Sequence, residues 1–258
     1  RLRGEYPNLG LIRIEKTPPG VSPKKYAVSR GVGEVSNDIV VFTDADCVVP
    51  PHWLATIDRY CTPDTGMIQG ITTYLRPQGM NRWLYCLQAV DFLSHGVVAA
   101  AGIGAGFPIN SNANNLAVRK DVFGEVGGYG KESGVVSGDD ELLLHRVWKA
   151  GKWKIRYMAA REAAVQTYPT ETWGGIFEQR KRWGSKTVHY NRGQIVLLTG
   201  VFLFYCAIFG AGIGSFFSLH SLYWTGGMAV LKLSGELLLM ERGTRCIGQR
   251  ELMGAVVP

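Results

Sequence analysis

Between Ile195 and Leu219 the chain reads IVLLTGVFLFYCAIFGAGIGSFFSL, without a single charged side chain. That run exceeds the about 20 residues a helix needs to cross the hydrocarbon of a bilayer, and soluble helices of such length normally keep a charged face. The segment is therefore expected to span a membrane, with the preceding chain folding beside that surface. A second stretch, Leu222 to Met240, is interrupted by Lys232 and Glu236 and reads as a weaker span or an interfacial helix. Lys181, Arg182, Lys186 and Arg192 precede the first stretch, and Arg242, Arg245 and Arg250 follow the second. If both stretches cross, this basic excess puts both flanks in the cytoplasm and makes residues 194–240 a hairpin, with 241–258 a cytoplasmic tail or linker.

Residues 1–190 carry a different pattern. GLIRI at residues 10–14 reads as a strand, and SPKKYAVSRGVGEV follows as a helix with Ser22 as N-cap, Pro23 at its first position and an end near Gly31 or Gly33. In DIVVFTDADCVVPPHW, Asp38 to Trp53, the apolar Ile39 to Phe42 lack polar alternation and read as a strand buried on both faces, with Pro50 and Pro51 as the stop. A helix over about Trp53 to Tyr60 and a strand in GMIQGITTYL continue the alternation, which predicts an α/β domain with a mostly parallel sheet. A helix from about Met80 to Val98 is assigned to the core rather than to a bilayer surface. AAAGIGAGFPI is not a dinucleotide fingerprint, because Phe107 stands where the last glycine is required; its glycines suit a flexible or closely packed loop.

Composition narrows the chemistry. Lys and Arg number 28 against 21 Asp and Glu, and the resulting +7 suits a phosphorylated substrate, an anionic lipid or nucleic acid, so the placement of charge has to decide. Five cysteines without a CxxC pair suggest neither a zinc site nor a disulfide framework, and fit a reducing compartment.

Asp44 and Asp46 follow the buried strand at the sheet edge where open α/β sheets bind ligands, and their i, i+2 spacing lets both carboxylates face one cation. Turn aspartates bonding loop amides are the plain alternative. Two acid-rich chemistries fit this stretch, metal-assisted transfer from a nucleoside diphosphate and phosphoryl transfer through an aspartyl nucleophile. Asp139 and Asp140 open a helix from Glu141 to Ala150 that Gly151 closes; taken alone, they are cap residues complementing the helix dipole. In FEQRKRWGSK, Gln179 and Trp183 are i and i+4 on one helix face, where an indole and an amide suit a sugar. Arg182 offers paired donors to a diphosphate, and a basic juxtamembrane anchor is the competing explanation.

Taken together, Asp44 and Asp46 after a strand, Asp139 and Asp140 before a helix, QxxRW at Gln179 to Trp183 and then membrane helices resemble the inverting family 2 glycosyltransferases of GT-A fold. The set is most similar to the membrane-bound branch with cellulose and hyaluronan synthases and ceramide glucosyltransferases. KKYAVSRG resembles the family's GKxxALNxG, with Pro23 for its glycine and Ser29 for its asparagine, and NANNLAVRKDVFGEVGGY resembles its GNNxAxRRxxxxxxGGF. Asp139 stands where the family usually has Glu, and the family's first strand with its base-contacting aspartate would lie upstream of Arg1, so the chain is expected to be a fragment.

The resemblance implies a UDP- or GDP-sugar donor, a lipid or glycan acceptor, Mg²⁺ or Mn²⁺ held by Asp46 and Asp44, and Asp140 as general base. It further implies that Lys24 and Arg182 meet the donor while Asp139, Gln179 and Trp183 meet the acceptor, with the catalytic domain in the cytoplasm, membrane lipids around the helices and no nucleic acid partner. Rival expectations are a haloacid-dehalogenase-like phosphatase, with Asp44 as nucleophile and Asp46 as acid, and a non-catalytic membrane scaffold.

Overall fold

The computed structural model describes residues 5–6, 8–135, 138–185, 187, 190–246, 248 and 250; the basic flank residue Lys186 falls outside them. Helix α1 (Pro23–Glu34) starts at Ser22, whose backbone N–H is taken by Ser133 O, and is followed by strand β1 (Ile39–Phe42). Helix α2 (Trp53–Tyr60) matches its expected bounds, and β2 (Thr65–Gly70) and β3 (Thr72–Tyr74) share the stretch expected to hold one strand. Next come α3 (Arg82–Gly104), β4 (Leu116–Arg119), α4 (Lys120–Glu125), α5 (Glu141–Ala150), β5 (Lys154–Met158) and β6 (Val165–Thr167). Three helices finish the order: α6 (Trp173–Gly184), α7 (Arg192–Gly214) and α8 (Leu219–Cys246).

The main sheet has the order β1-β4-β2-β5, and β3 pairs with β6 in a short parallel ladder. β4 runs antiparallel to both β1 and β2, whereas β2 and β5 are parallel. The sheet is thus mixed rather than mostly parallel. Local patterning signals a buried strand but not its direction, and the antiparallel β4 lay unmarked inside the NANNLAVR stretch. β1 is an edge strand among the described residues, so only Val40 is fully buried there, contrary to the two-sided burial expected. It ends at Phe42, well before Pro50, because the chain turns with Cys47 N–H donating to Asp44 O. Residues 10–14 form no strand: they find no ladder, and Leu11 is 73% exposed.

Neighbouring residues of the central strands divide between two apolar layers. Met67 and Val118 pack with Val32 of α1, Val122 of α4 and Leu143, Leu144 and Val147 of α5. Ile68 and Ala117 pack with Trp53 and Ile57 of α2 and with Val165. The sheet thereby holds helices on both faces, and the carboxyl end of β1 and the start of α5 are fixed by core packing. Asn115, 1% exposed, locks the layers: its amide donates to Ile71 O and Ala163 O at 2.8 Å each, and its oxygen accepts from the Trp53 indole at 2.9 Å.

A third cluster joins Leu93 and Val97 of α3 to Ile71 and to Met240 of α8. Gly243 makes this approach possible, since a Cβ there would lie 2.3 Å from Val97. Helix α7 begins with an Asn191–Gln194 capping box, and the buried Gln194 donates to Ile109 O at 3.3 Å. The apolar run expected to continue to Leu219 breaks after Gly214, where a glycine-rich end meets the Ser215 cap. Among the described residues two helices are long and apolar enough to cross a membrane, α3 and α7. A third of the apolar window of α3, the helix assigned to the core from its sequence, is buried, and none of that of α7 is. Helix α8 does not qualify, its apolar character diluted by Lys232 and Glu236.

Candidate active site

One cavity of about 810 Å³ opens where the carboxyl end of β1, the start of α5 and helix α6 meet, and the Lys24, Asp44, Asp46, Asp139, Asp140, Gln179, Arg182 and Trp183 side chains all line it. Residues distant in sequence thus share one wall system, with Leu198, Val201 and Tyr205 of α7 closing an apolar side.

Lys24 sits in the first turn of α1 and reaches both acidic motifs. Its ammonium lies 2.9 Å from Asp44 Oδ1 and 3.0 Å from Asp139 Oδ2. Burial works to lower its pKa, but the Asp139 and Asp44 carboxylates outweigh burial and hold it above the ordinary lysine range. The adjacent Lys25 points elsewhere, 1% exposed with its ammonium 5.5 Å from the centre of the Tyr129 ring.

Asp46 is exposed, and its Oδ2 accepts a long hydrogen bond of 3.4 Å from the Thr167 hydroxyl. The loop that carries both acids is closed by a mutual backbone pair, Val48 N–H to Gln166 O at 2.7 Å and Gln166 N–H to Val48 O at 2.9 Å. Among the described residues no group of three or more His, Cys, Asp or Glu side chains is arranged to hold a metal. Two carboxylates still fit a small hard cation, because Mg²⁺ commonly takes one or two carboxylates and completes its shell with water and substrate phosphate.

Asp140 is the N-cap of α5. Its Oδ1 accepts from Glu141 N–H at 2.7 Å, and its Oδ2 from Ala113 N–H at 3.0 Å. The expected cap role and a place in the cavity wall therefore coexist, with two backbone donors fixing the carboxylate. Tyr190 adjoins it, with its ring edge-on to His145. Burial and the Glu141 and Asp140 carboxylates push the Tyr190 phenol well above the ordinary tyrosine range.

Helix α6 carries QxxRW at Gln179, Arg182 and Trp183 and buries no residue fully. The arginine that organises it is Arg180, passed over in the sequence because it lies between the motif positions. Its guanidinium pairs with Asp91 of α3 and lies 4.3 Å from the centre of the Trp183 ring, while Arg182 is exposed at the rim. Trp183 also meets His95 edge-on at 5.6 Å and Phe92 at 6.2 Å, so Arg180 leaves at most one indole face for a ligand. Arg180 and Tyr190 could have been found by asking which cations and phenols flank the motifs; no spacing rule marks them.

The family model described as Glycosyltransferase like family 2 matches residues 2–185, which takes in Lys24, both acidic pairs and the whole of α6. No curated protein matches the chain.

Proposed function

The chain belongs to the glycosyltransferase like family 2 and is a glycosyltransferase using a nucleotide-sugar donor and an acceptor, and from that premise we propose an inverting, metal-assisted hexosyl transfer beside a membrane. The observation that supports this reading is the single cavity lined by Lys24, Asp44, Asp46, Asp140, Gln179 and Trp183. A phosphatase would instead need Asp139 and Asp140 to close a strand, whereas they precede helix α5.

In the proposed reaction an acceptor hydroxyl attacks the anomeric carbon in line with the departing nucleoside diphosphate. The new carbon–oxygen bond forms as the bond to the diphosphate breaks, configuration inverts, and the hydroxyl proton passes to the Asp140 carboxylate. Two backbone N–H donors keep that carboxylate aimed. Lys24 and Arg182 meet the donor phosphates; Asp139, held by Lys24, borders the acceptor with Gln179 and Trp183. Asp44 and Asp46 would hold Mg²⁺ or Mn²⁺, which supplies positive charge against the leaving diphosphate. Helix α7, uncharged after Arg192 and with 0% of its apolar window buried, supports a membrane location, and the basic Lys181, Arg182 and Arg192 ahead of that uncharged run support a cytoplasmic active site.

The test is nucleoside diphosphate release by the full chain in membranes from a panel of UDP- and GDP-hexoses, with and without EDTA. Release from at least one donor, lost with EDTA and restored by Mg²⁺ or Mn²⁺, is expected. Release that EDTA leaves untouched would remove the metal, and release from none would overturn the proposal.

A further inference from the structure

Away from the charged residues, the same cavity has a neutral wall. Gln69 Oε1 on β2, Thr72 Oγ1 on β3, Ser111 Oγ after α3 and the Tyr157 hydroxyl on β5 are all buried without a hydrogen-bond partner among the described residues. All four residues line the cavity, and Gln69, Thr72 and Ser111 are only 2%, 6% and 8% exposed. A buried polar atom left unpaired is costly and uncommon, so four neutral ones on one cavity lining, together with Asn110 Oδ1, Gln179 Oε1 and Arg180 Nη1 on the same lining, mark a place that a polar ligand completes. The four themselves carry no charge: burial pushes the Tyr157 phenol above the usual tyrosine range, which keeps it a neutral donor. Gly96 of α3 leaves that hydroxyl room, since a Cβ there would come within 3.2 Å of it.

Charge sorts the possible ligands. A phosphate would be drawn to Lys24, whose ammonium is held by Asp44 and Asp139, and to the exposed Arg182. Hydroxyls and a carboxamide converging without a charge suit a ligand that is itself neutral and rich in hydroxyls, whose groups both donate and accept. Ser111 also lies on the loop that Ala113 N–H ties to Asp140 at 3.0 Å, so the neutral wall continues into the proposed base.

We propose that Gln69, Thr72, Ser111 and Tyr157 form an acceptor subsite for a sugar ring, so that the acceptor is a glycosyl group rather than a simple lipid alcohol. This deepens the transferase reading and rests on it for the term acceptor. Thr72→Val and Tyr157→Phe remove one polar atom each with little change of shape, so both variants keep the packing. In membranes holding the full chain, transfer from the best hexose donor is measured to an octyl hexoside and to diacylglycerol, alongside acceptor-free donor hydrolysis.

The expected result is transfer to the hexoside and not to diacylglycerol. The hexoside KM should rise about tenfold or more in each variant, while donor hydrolysis stays within about twofold, a split that loss of folding would not give. Preference for diacylglycerol, an unchanged hexoside KM, or an equal loss in donor hydrolysis would overturn the subsite. If no donor releases nucleoside diphosphate, the transferase reading fails separately. Octyl hexoside binding, followed by saturation-transfer NMR on wild type and both variants, then still decides the subsite: binding weakened by the variants supports it, and absent or unchanged binding overturns it.

Discussion

Two walls of the cavity are built differently. The acidic wall grows out of the packed core: Asp140 is fixed by two backbone donors, and Lys24 clamps Asp44 to Asp139 across two elements. Another wall is helix α6, with no fully buried residue, held through the Arg180–Asp91 pair and the contacts of Trp183 with Arg180, His95 and Phe92. A wall made of core elements sets geometry, whereas a wall docked by a few side chains can yield to admit a substrate. The chemistry is accordingly assigned to the first wall, while the second borders the acceptor through Gln179 and Trp183 and can yield to admit it to the neutral wall.

Substitutions can break that contrast. The largest effect is expected from Asp140→Asn, which keeps the cap but removes the base. Transfer should fall about 10³-fold or more while donor affinity, measured by equilibrium dialysis, is kept. Unchanged turnover would take Asp140 out of the mechanism. Arg180→Gln should loosen α6, lowering kcat/KM for transfer about 10- to 100-fold, or about 1.4–2.7 kcal/mol, with donor hydrolysis largely intact and faster proteolysis within α6. Equal losses in both activities would mean that α6 serves the donor, through Arg182, as much as the acceptor. The smallest effect belongs to Lys24→Met. Removing the cation between Asp44 and Asp139 should tighten Mn²⁺ binding several-fold without donor, read by electron paramagnetic resonance, and unchanged affinity would show that Lys24 and the ion do not compete.

Legibility in the sequence follows the same division. Helices α2 and α5 stand at their expected bounds because their signals are local: an apolar stripe over Trp53 to Tyr60, and acids before Glu141 with Gly151 at a φ of +68° to end the turn. The antiparallel β4, the edge position of β1 and the unpaired residues 10–14 escaped, because strand direction and partners are decided by the whole sheet. The return of α8 onto α3 through Gly243 is likewise a long-range contact that no pattern announces. The site shows the same limit. Asp44, Asp46, Asp139, Asp140 and QxxRW were visible as motifs, but the Lys24 clamp, Arg180 over the indole and the unpaired hydroxyl of Tyr157 exist only once the chain is folded.

The central claim is that one displacement occurs in one cavity, with Asp140 taking the acceptor proton. Proton NMR of the glycoside formed at early times from an α-linked nucleotide sugar tests it most directly. The account predicts a β-anomer as the first product, with its large coupling between the first two ring protons for a gluco-configured sugar; an α-anomer formed first would contradict it.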